Sequence, residues 1–159
     1  MLSPDNRAWL DAFQASHGRK PRVLHIGNIA NNAYNNAKIL HQAGLDNDVV
    51  CYDYYHIMGC PEWEDADFAG DIEDDFFPDW AALDLGGYQR PKWFVQGPVI
   101  LCLAYLQARA RGDQLAAAKL WGGLAEANKT ERKEKQPSVF ARVLQYGRMK
   151  FRLAVRVSK

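Results

Sequence analysis

The chain of 159 residues is 48% hydrophobic and 25% charged, the balance of one globular domain rather than of a disordered or fibrous chain. Its start, MLSPDNRAWL, has no apolar stretch for export, and its longest apolar run, VILCLAYL over residues 99–106, falls well short of the roughly 20 residues a membrane helix needs, so a cytoplasmic location is the expectation. The net charge of +1 conceals an asymmetry, −10 over residues 1–89 and +11 over residues 90–159, which fits halves that face each other, a basic half that meets an anionic partner, or two solvated faces.

Ser3-Pro4-Asp5 predicts a helix start, with Ser as cap, Pro at the first helical position and Asp in the first turn. Trp9, Leu10 and Phe13 then share one face, and Gly18 suits the stop. After a break at Lys20-Pro21-Arg22, the run Val23-Leu24-His25-Ile26 predicts a strand covered on both faces. Ala33, Ala37 and Leu40 return at helical spacing before Gly44, and Val49-Val50-Cys51-Tyr52 predicts a second strand. Strand, glycine turn, helix and strand make a βαβ unit, so the two strands should lie parallel. Residues 54–96 have no clean period and read as a long irregular connection with short helical turns. Gly97-Pro98 starts a helix to about Arg111, and Asp113 caps another that carries Leu115, Ala118, Trp121 and Leu124, giving a tight helical hairpin. Residues 129–136, KTERKEKQ, read as an exposed, mobile link. Beyond it, Val139, Phe140, Val143 and Leu144 suit an amphipathic helix, whereas Phe151, Leu153, Val155 and Val157 alternate like a strand. The expected class is α/β: a Rossmann-like βαβ start with parallel strands, then a helical hairpin and a basic tail. Residues 1–128 would form the domain and residues 129–159 a basic linker and tail.

In an open α/β sheet, ligands sit beyond the carboxyl ends of the strands. Two such ends are visible, Gly27-Asn28 and Asp53-Tyr54-Tyr55-His56. Gly27 lets a ligand approach the backbone, and the free N–H groups of a helix starting within Asn28–Asn32 can hold a phosphate. Asn28, Asn31, Asn32 and Asn35 supply neutral donors and acceptors for a hydroxyl-rich ligand, and equally suit capping the helix. The G-x-G-x-x-G spacing of a dinucleotide fingerprint is missing. His56 can accept a proton, donate to a sugar, or serve as a structural histidine in an aromatic loop. Glu62, Glu64, Asp65 and Asp67 surround Trp63, a set able to bind carbohydrate, to do acid–base work, or simply to solvate a loop. The three cysteines, Cys51, Cys60 and Cys102, fit no disulfide framework and read as reduced thiols; Cys51, His56 and Cys60 lack the paired spacing and fourth ligand of a zinc site, so no metal is expected. The tail from Lys129 to Lys159 holds ten Lys/Arg and two acids among Phe, Tyr, Leu and Val, which suits an anionic membrane surface or a nucleic-acid backbone, although no nucleic-acid module is recognisable.

Two stretches carry a resemblance. RVLHIGNIANNAYNNAKILHQAGLDNDVVCYDYYHIMGCPEWEDADF (Arg22–Phe68) resembles the amino-terminal segment of bacterial glycosyltransferases with the two-domain Rossmann-like GT-B fold, and RPKWFVQGP (Arg90–Pro98) is similar to a later segment of the same proteins. The glycine-asparagine loop, the Tyr-Asp-Tyr-Tyr-His strand end and the Pro-Glu-Trp-Glu turn occur together and in order. The resemblance implies transfer of a sugar from a nucleotide-sugar co-substrate, with no other cofactor and no metal, to a glycan or lipid-linked acceptor at the inner face of a membrane. Carried over by position, it implies Gly27, Asn28 and Asn31 lining the cleft at the donor phosphates, and Asp53, Tyr54 and His56 facing the acceptor side; from their own chemistry Asn32, Asn35, Glu62 and Trp63 join the expected acceptor side, and His56 is the expected catalytic residue. A full enzyme of this family is over twice as long and carries most of its donor site in a carboxyl-terminal domain. The chain is therefore expected to be a truncated, acceptor-side part, inactive alone because transition-state binding needs both walls of the cleft. The competing expectation is a non-catalytic α/β binding module whose basic arm associates with an anionic membrane, nucleic acid or a partner chain.

Overall fold

The computed structural model describes residues 2–52 and 54–135. Packing divides the chain into the units Met1–Asn128 and Lys129–Lys159, and the sheet and the candidate site belong to the first. Helix α1 (Pro4–His17) begins as the sequence predicts, with Ser3 Oγ accepting from the Asn6 N–H at 3.3 Å and Gly18 closing it at φ 65°. It buries none of its residues; Phe13 lies between Trp9, at 5.6 Å, and His17, stacked at 4.1 Å.

Three parallel strands follow in the order β1 (Arg22–Ile26), β2 (Asp46–Cys51) and β3 (Phe94–Gln96). Helix α2 (Asn32–Gln42) connects the first two, as expected of the βαβ unit. His25 lies beside Val49 and Ile26 beside Val50; Val49 in turn lies beside Phe94 and Cys51 beside Gln96. Strand β3 falls inside the stretch read as irregular. Three residues are too few to show a period, and all three are buried, so no alternation marks them.

Alternation across β2 and β3 builds a core on each face. Val49, Cys51 and Phe94 pack on Tyr34 and Ala37 of α2. Val50 and Val95 pack on the other face under Cys102, Tyr105, Leu106 and Ala108 of α4 (Val99–Ala110) and Ala117 and Leu124 of α5 (Gln114–Lys135). Phe94, Val49, Val50 and Val95 are wholly excluded from solvent, each worth about 1.5–3 kcal/mol. Strand β1 departs from the expected double cover. Leu24 and Ile26, whose register places them on the face with Asp48 and Val50, are 45% and 64% exposed. Among the described residues no strand pairs with the outer edge of β1.

The predicted hairpin of α4 and α5 is present, with Gly112 at φ 73° in the turn and Asp113 Oδ1 capping Ala116 N at 2.9 Å. Helix α5 continues to Lys135, where the sequence predicts a mobile link; a run of Lys, Arg and Glu without Gly or Pro is a good helix former. The helix and strand predicted for the tail lie outside the described residues. The long connection from β2 to β3 has a small core of its own, Ile57, Cys60 and Trp80 with Phe68, Ile72, Leu83 and Leu85 around them. It includes helix α3 (Pro61–Asp65) and 3-10 turns at Ile57–Gly59 and Trp80–Ala82. Among the described residues, no helix is long and apolar enough to cross a membrane.

Candidate functional site

Strand β1 ends at Gly27, whose N–H donates to Val50 O at 2.8 Å and whose φ of 86° favours glycine. Apart from its chain neighbours, no atom of the described residues lies within 4 Å of where a Cβ would stand, so the space over this strand end is open among them. The chain then turns tightly, with Ala30 and Asn31 at φ 49° and 56°, a conformation L residues rarely adopt.

Two buried amides hold that turn. Asn28 and Asn31 are each 1% exposed. Asn28 Nδ2 donates to Asn31 Oδ1 at 3.0 Å and to Gly59 O at 2.8 Å, while Asn28 Oδ1 accepts from Tyr34 N at 2.9 Å. Asn31 Nδ2 donates to Cys60 O at 2.9 Å. These side chains replace backbone partners that so sharp a bend cannot supply. They pin the first loop to the 57–60 turn, so both side-chain amides of the expected phosphate contact are engaged within the fold. Asn28 also occupies an N–H group that the start of α2 would otherwise offer an anion. Asn32 remains exposed, accepting from Asn36 Nδ2 at 3.1 Å, and Asn35 is half-buried.

After β2, Asp53 lies outside the described residues. Tyr54 O accepts from Gln96 Nε2 at 2.9 Å and from the Cys51 thiol at 3.2 Å. The Tyr54 ring covers Gly59 so closely that any Cβ there would overlap it. His56 Nδ1 accepts from Met58 N at 3.2 Å, with the Phe76 ring edge-on at 5.0 Å. In the neutral ring that bond places the proton on Nε2, which can then donate.

The acidic turn is mostly structural. Glu62 is 4% exposed and receives both forks of Arg90, Nε to Oε1 at 2.7 Å and Nη2 to Oε2 at 2.8 Å. Arg90 Nη1 reaches on to Gln96 Oε1 at 2.7 Å, tying α3 to β3. Burial alone would depress the Arg90 pKa, but the facing carboxylate outweighs it and holds the group above its ordinary value. Both carboxylate oxygens of Glu62 are thus engaged by Arg90 within the fold. Asp65 accepts from Tyr34 OH and Lys38 Nζ, each at 2.5 Å, and Tyr34 OH lies 3.1 Å from Tyr88 OH. Burial, then Asp65, raises the Tyr34 pKa, and burial pushes Tyr88 up to about 12. Trp63 stays 45% exposed beside Phe68. Arg90, Gln96, Lys38 and Tyr88 are structural partners that sequence reasoning missed. One signal was available, because Arg90 is the first cation after Lys38 in a strongly acidic stretch.

Burial pushes the Cys51 thiol up to about 12 and raises Cys60. Cys60 points its sulfur at the Tyr55 and His56 carbonyls, at 3.5 and 3.6 Å. Among the described residues, no group of three or more His, Cys, Asp or Glu side chains could hold a metal ion.

Gly27 thus ends β1 with open space over it among the described residues, and Asn32 and Asn35 follow it in α2. His56 Nε2–H supplies a donor and Trp63 an apolar face in the connection pinned to it. No protein-family model matches the chain, and no curated protein and no solved structure matches it.

Proposed function

We propose that the chain is the acceptor-side, Rossmann-like part of a glycosyltransferase, which holds a hydroxyl-rich sugar ligand over Gly27 and does not turn over alone. The observation that carries this reading is the open space at Gly27, at the end of an open parallel sheet where such folds bind ligands. The loop beyond Gly27 is fixed by buried amides, so a ligand would meet a prearranged backbone. Neutral Asn32 and Asn35, the His56 donor and the exposed Trp63 suit hydroxyls and the apolar face of a sugar. The resemblance of Arg22–Phe68 to the amino-terminal segment of GT-B enzymes supports the same class.

Titration with a panel of nucleotide sugars and free oligosaccharides, followed by amide resonances, tests the reading. Shifts should concentrate in Gly27–Asn35 and near Trp63. Gly27→Val should abolish them while adding only about 1–2 kcal/mol of left-handed strain. No shift in that loop, or unaltered binding by the variant, refutes the reading. Salt-sensitive sedimentation with anionic vesicles and silence at Gly27 would instead favour the binding module that the +11 charge of residues 90–159 suggests.

A further inference from the structure

Among the described α-helices, α1 alone buries none of its residues. Its apolar side chains nevertheless form one stripe. With 3.6 residues to a turn, Trp9, Leu10, Phe13 and His17 fall within about 100° of arc. The ring contacts from Trp9 to Phe13 and from Phe13 to His17 run along that stripe, and Trp9 is 57% exposed. A helix of 14 residues is marginal in water by itself, and an apolar stripe of this width is the pattern of a helix covered on one side.

The sheet leaves room for one helix on its α4 face. There α4 lies over β2, and α5 reaches the end of β3 through Leu124 and Asn128. Helices packed side by side stand about 8–10 Å apart and strands about 4.8 Å apart, so one more helix fits beside α4, over β1 and its unpaired edge. The floor of that slot is the exposed pair Leu24 and Ile26. Its amino end is basic, because Arg22 and Arg109, 41% and 34% exposed at their side chains, share the single carboxylate of Asp48. Helix α1 carries Asp5 and Asp11 against Arg7. That balance complements the basic end of the slot and disfavours an anionic lipid surface, which calls for Lys and Arg beside the apolar stripe. Residues 18–21 join α1 to β1 and hold the stripe clear of its own sheet; so short a connection favours exchange of the helix between two copies. The exposed parts of Trp9, Leu10 and Phe13, with a matching area over Leu24 and Ile26, come to roughly 500 Å2. A two-fold exchange makes this contact twice, about 1,000 Å2 in all, where specific interfaces begin.

We propose that two copies of this chain exchange α1, each laying Trp9, Leu10 and Phe13 over Leu24 and Ile26 of the other. The proposal is independent of the sugar-binding reading. Sedimentation velocity of the full chain from about 1 to about 500 μM should show a reversible dimer with a Kd of about 100 μM or tighter. Trp9→Ala with Phe13→Ala should weaken it about tenfold or more while keeping α1 helical, since Ala is the best helix former. Ile26→Lys, at a position 64% exposed, should do the same without unfolding the chain, which urea midpoints check. The arrangement is read by mixing chains that carry Asn6→Cys with chains that carry Leu24→Cys and adding a short bismaleimide; the three native cysteines are buried and should stay unlabelled. Peptide mapping should find residue 6 of one chain joined to residue 24 of the other. A monomer at every concentration, a dimer that neither variant weakens, or crosslinks that join only like positions overturns the proposal. So does a monomeric chain carrying both substitutions that crosslinks within itself, because α1 would then cover its own sheet. Binding of the monomer to phosphatidylcholine–phosphatidylglycerol vesicles that Trp9→Ala with Phe13→Ala abolishes would give α1 a lipid partner and overturn it as well.

Discussion

The Glu62–Arg90 pair gives a direct measure of whether the acidic turn serves the fold or a ligand. Its side chains are 5% and 22% exposed and joined by two hydrogen bonds, so Glu62→Ala leaves a mostly buried guanidinium with Gln96 as its one remaining side-chain hydrogen-bond partner among the described residues. Breaking a buried pair in this way costs about 3–5 kcal/mol, whereas removing both charges with apolar replacements is often near neutral. The single variant should therefore lose about 3 kcal/mol or more, a fall in melting temperature of roughly 10 °C for a domain of this size. Glu62→Leu with Arg90→Met should recover much of that loss, with about 1 kcal/mol still missing because Gln96 Oε1 loses its donor. Urea unfolding followed by the fluorescence of the five tryptophans measures Glu62→Leu, Arg90→Met and the double variant as a double-mutant cycle, with Glu62→Ala beside them. A loss below about 1 kcal/mol for Glu62→Ala refutes the reasoning, because the pair would then behave as solvated and Glu62 would be available to an acceptor.

Gly59→Ala should cost about 1–3 kcal/mol in the same assay, because its Cβ needs the place of the Tyr54 ring, and a neutral result would mean that the ring swings away freely. Burial lowers the His25 pKa below 6.5, and its Nε2 has no partner among the described residues. The unfolded chain then takes the proton first, so stability falls as pH drops from 6.5 toward the folded value, by at most about 1.4 kcal/mol per pH unit. His25→Gln should flatten that limb of the urea-midpoint profile, and an unchanged slope would sink the assignment. Burial also pushes the Cys51 and Cys102 thiols up to about 12 and about 11 and raises Cys60. A thiol reagent near neutral pH should label the native chain far more slowly than the urea-unfolded one, and a rapidly labelled native cysteine would refute their burial.

Sequence pattern succeeds where a residue's neighbours are local. The Ser3 cap, the Gly18 stop and the Asp113 cap each depend on partners within four residues, and each is found where the pattern puts it. Strand β2 is legible as a run of apolar residues because both of its faces are covered. The same local signal misleads at β1. Leu24 and Ile26 record apolar character, but whether a helix lies over them depends on where α4 packs, and α4 packs on Val50 and Val95 instead. Strand β3 is invisible for the opposite reason, since its burial comes entirely from elements distant in sequence. The site divides along the same line. Gly27 is legible as an open strand end because a glycine after an apolar run has a local meaning. Glu62 looks like surface until Arg90, 28 residues on, closes over it. Composition shows that the first loop is rich in amides, but not which way an amide turns when its partners are Gly59 O, 31 residues away, and Cys60 O, 29 residues away.

That direction explains why the loop carries asparagine and not aspartate. Asn28 donates twice, to Asn31 Oδ1 and Gly59 O, and accepts once, from Tyr34 N. Aspartate has the same shape but can only accept, so Asn28→Asp replaces two attractions with two oxygen–oxygen repulsions at a place 1% exposed. The variant should lose about 3 kcal/mol or more at neutral pH, well beyond the size change, because a buried acceptor pair is left unpaired and a charge is desolvated. The sign of its pH dependence follows from the same geometry. Protonation restores one donor and removes the charge, so the folded state holds the proton more tightly than the unfolded state, whose carboxyl has a pKa near 3.9. Stability of the variant relative to the parent should therefore improve as pH falls from about 7 toward about 5, opposite to the His25 effect. Urea midpoints of the two chains at both pH values measure it. Equal midpoints at neutral pH would mean that Asn28 faces solvent, which would return the amide to the ligand and restore the phosphate contact that its buried partners now oppose.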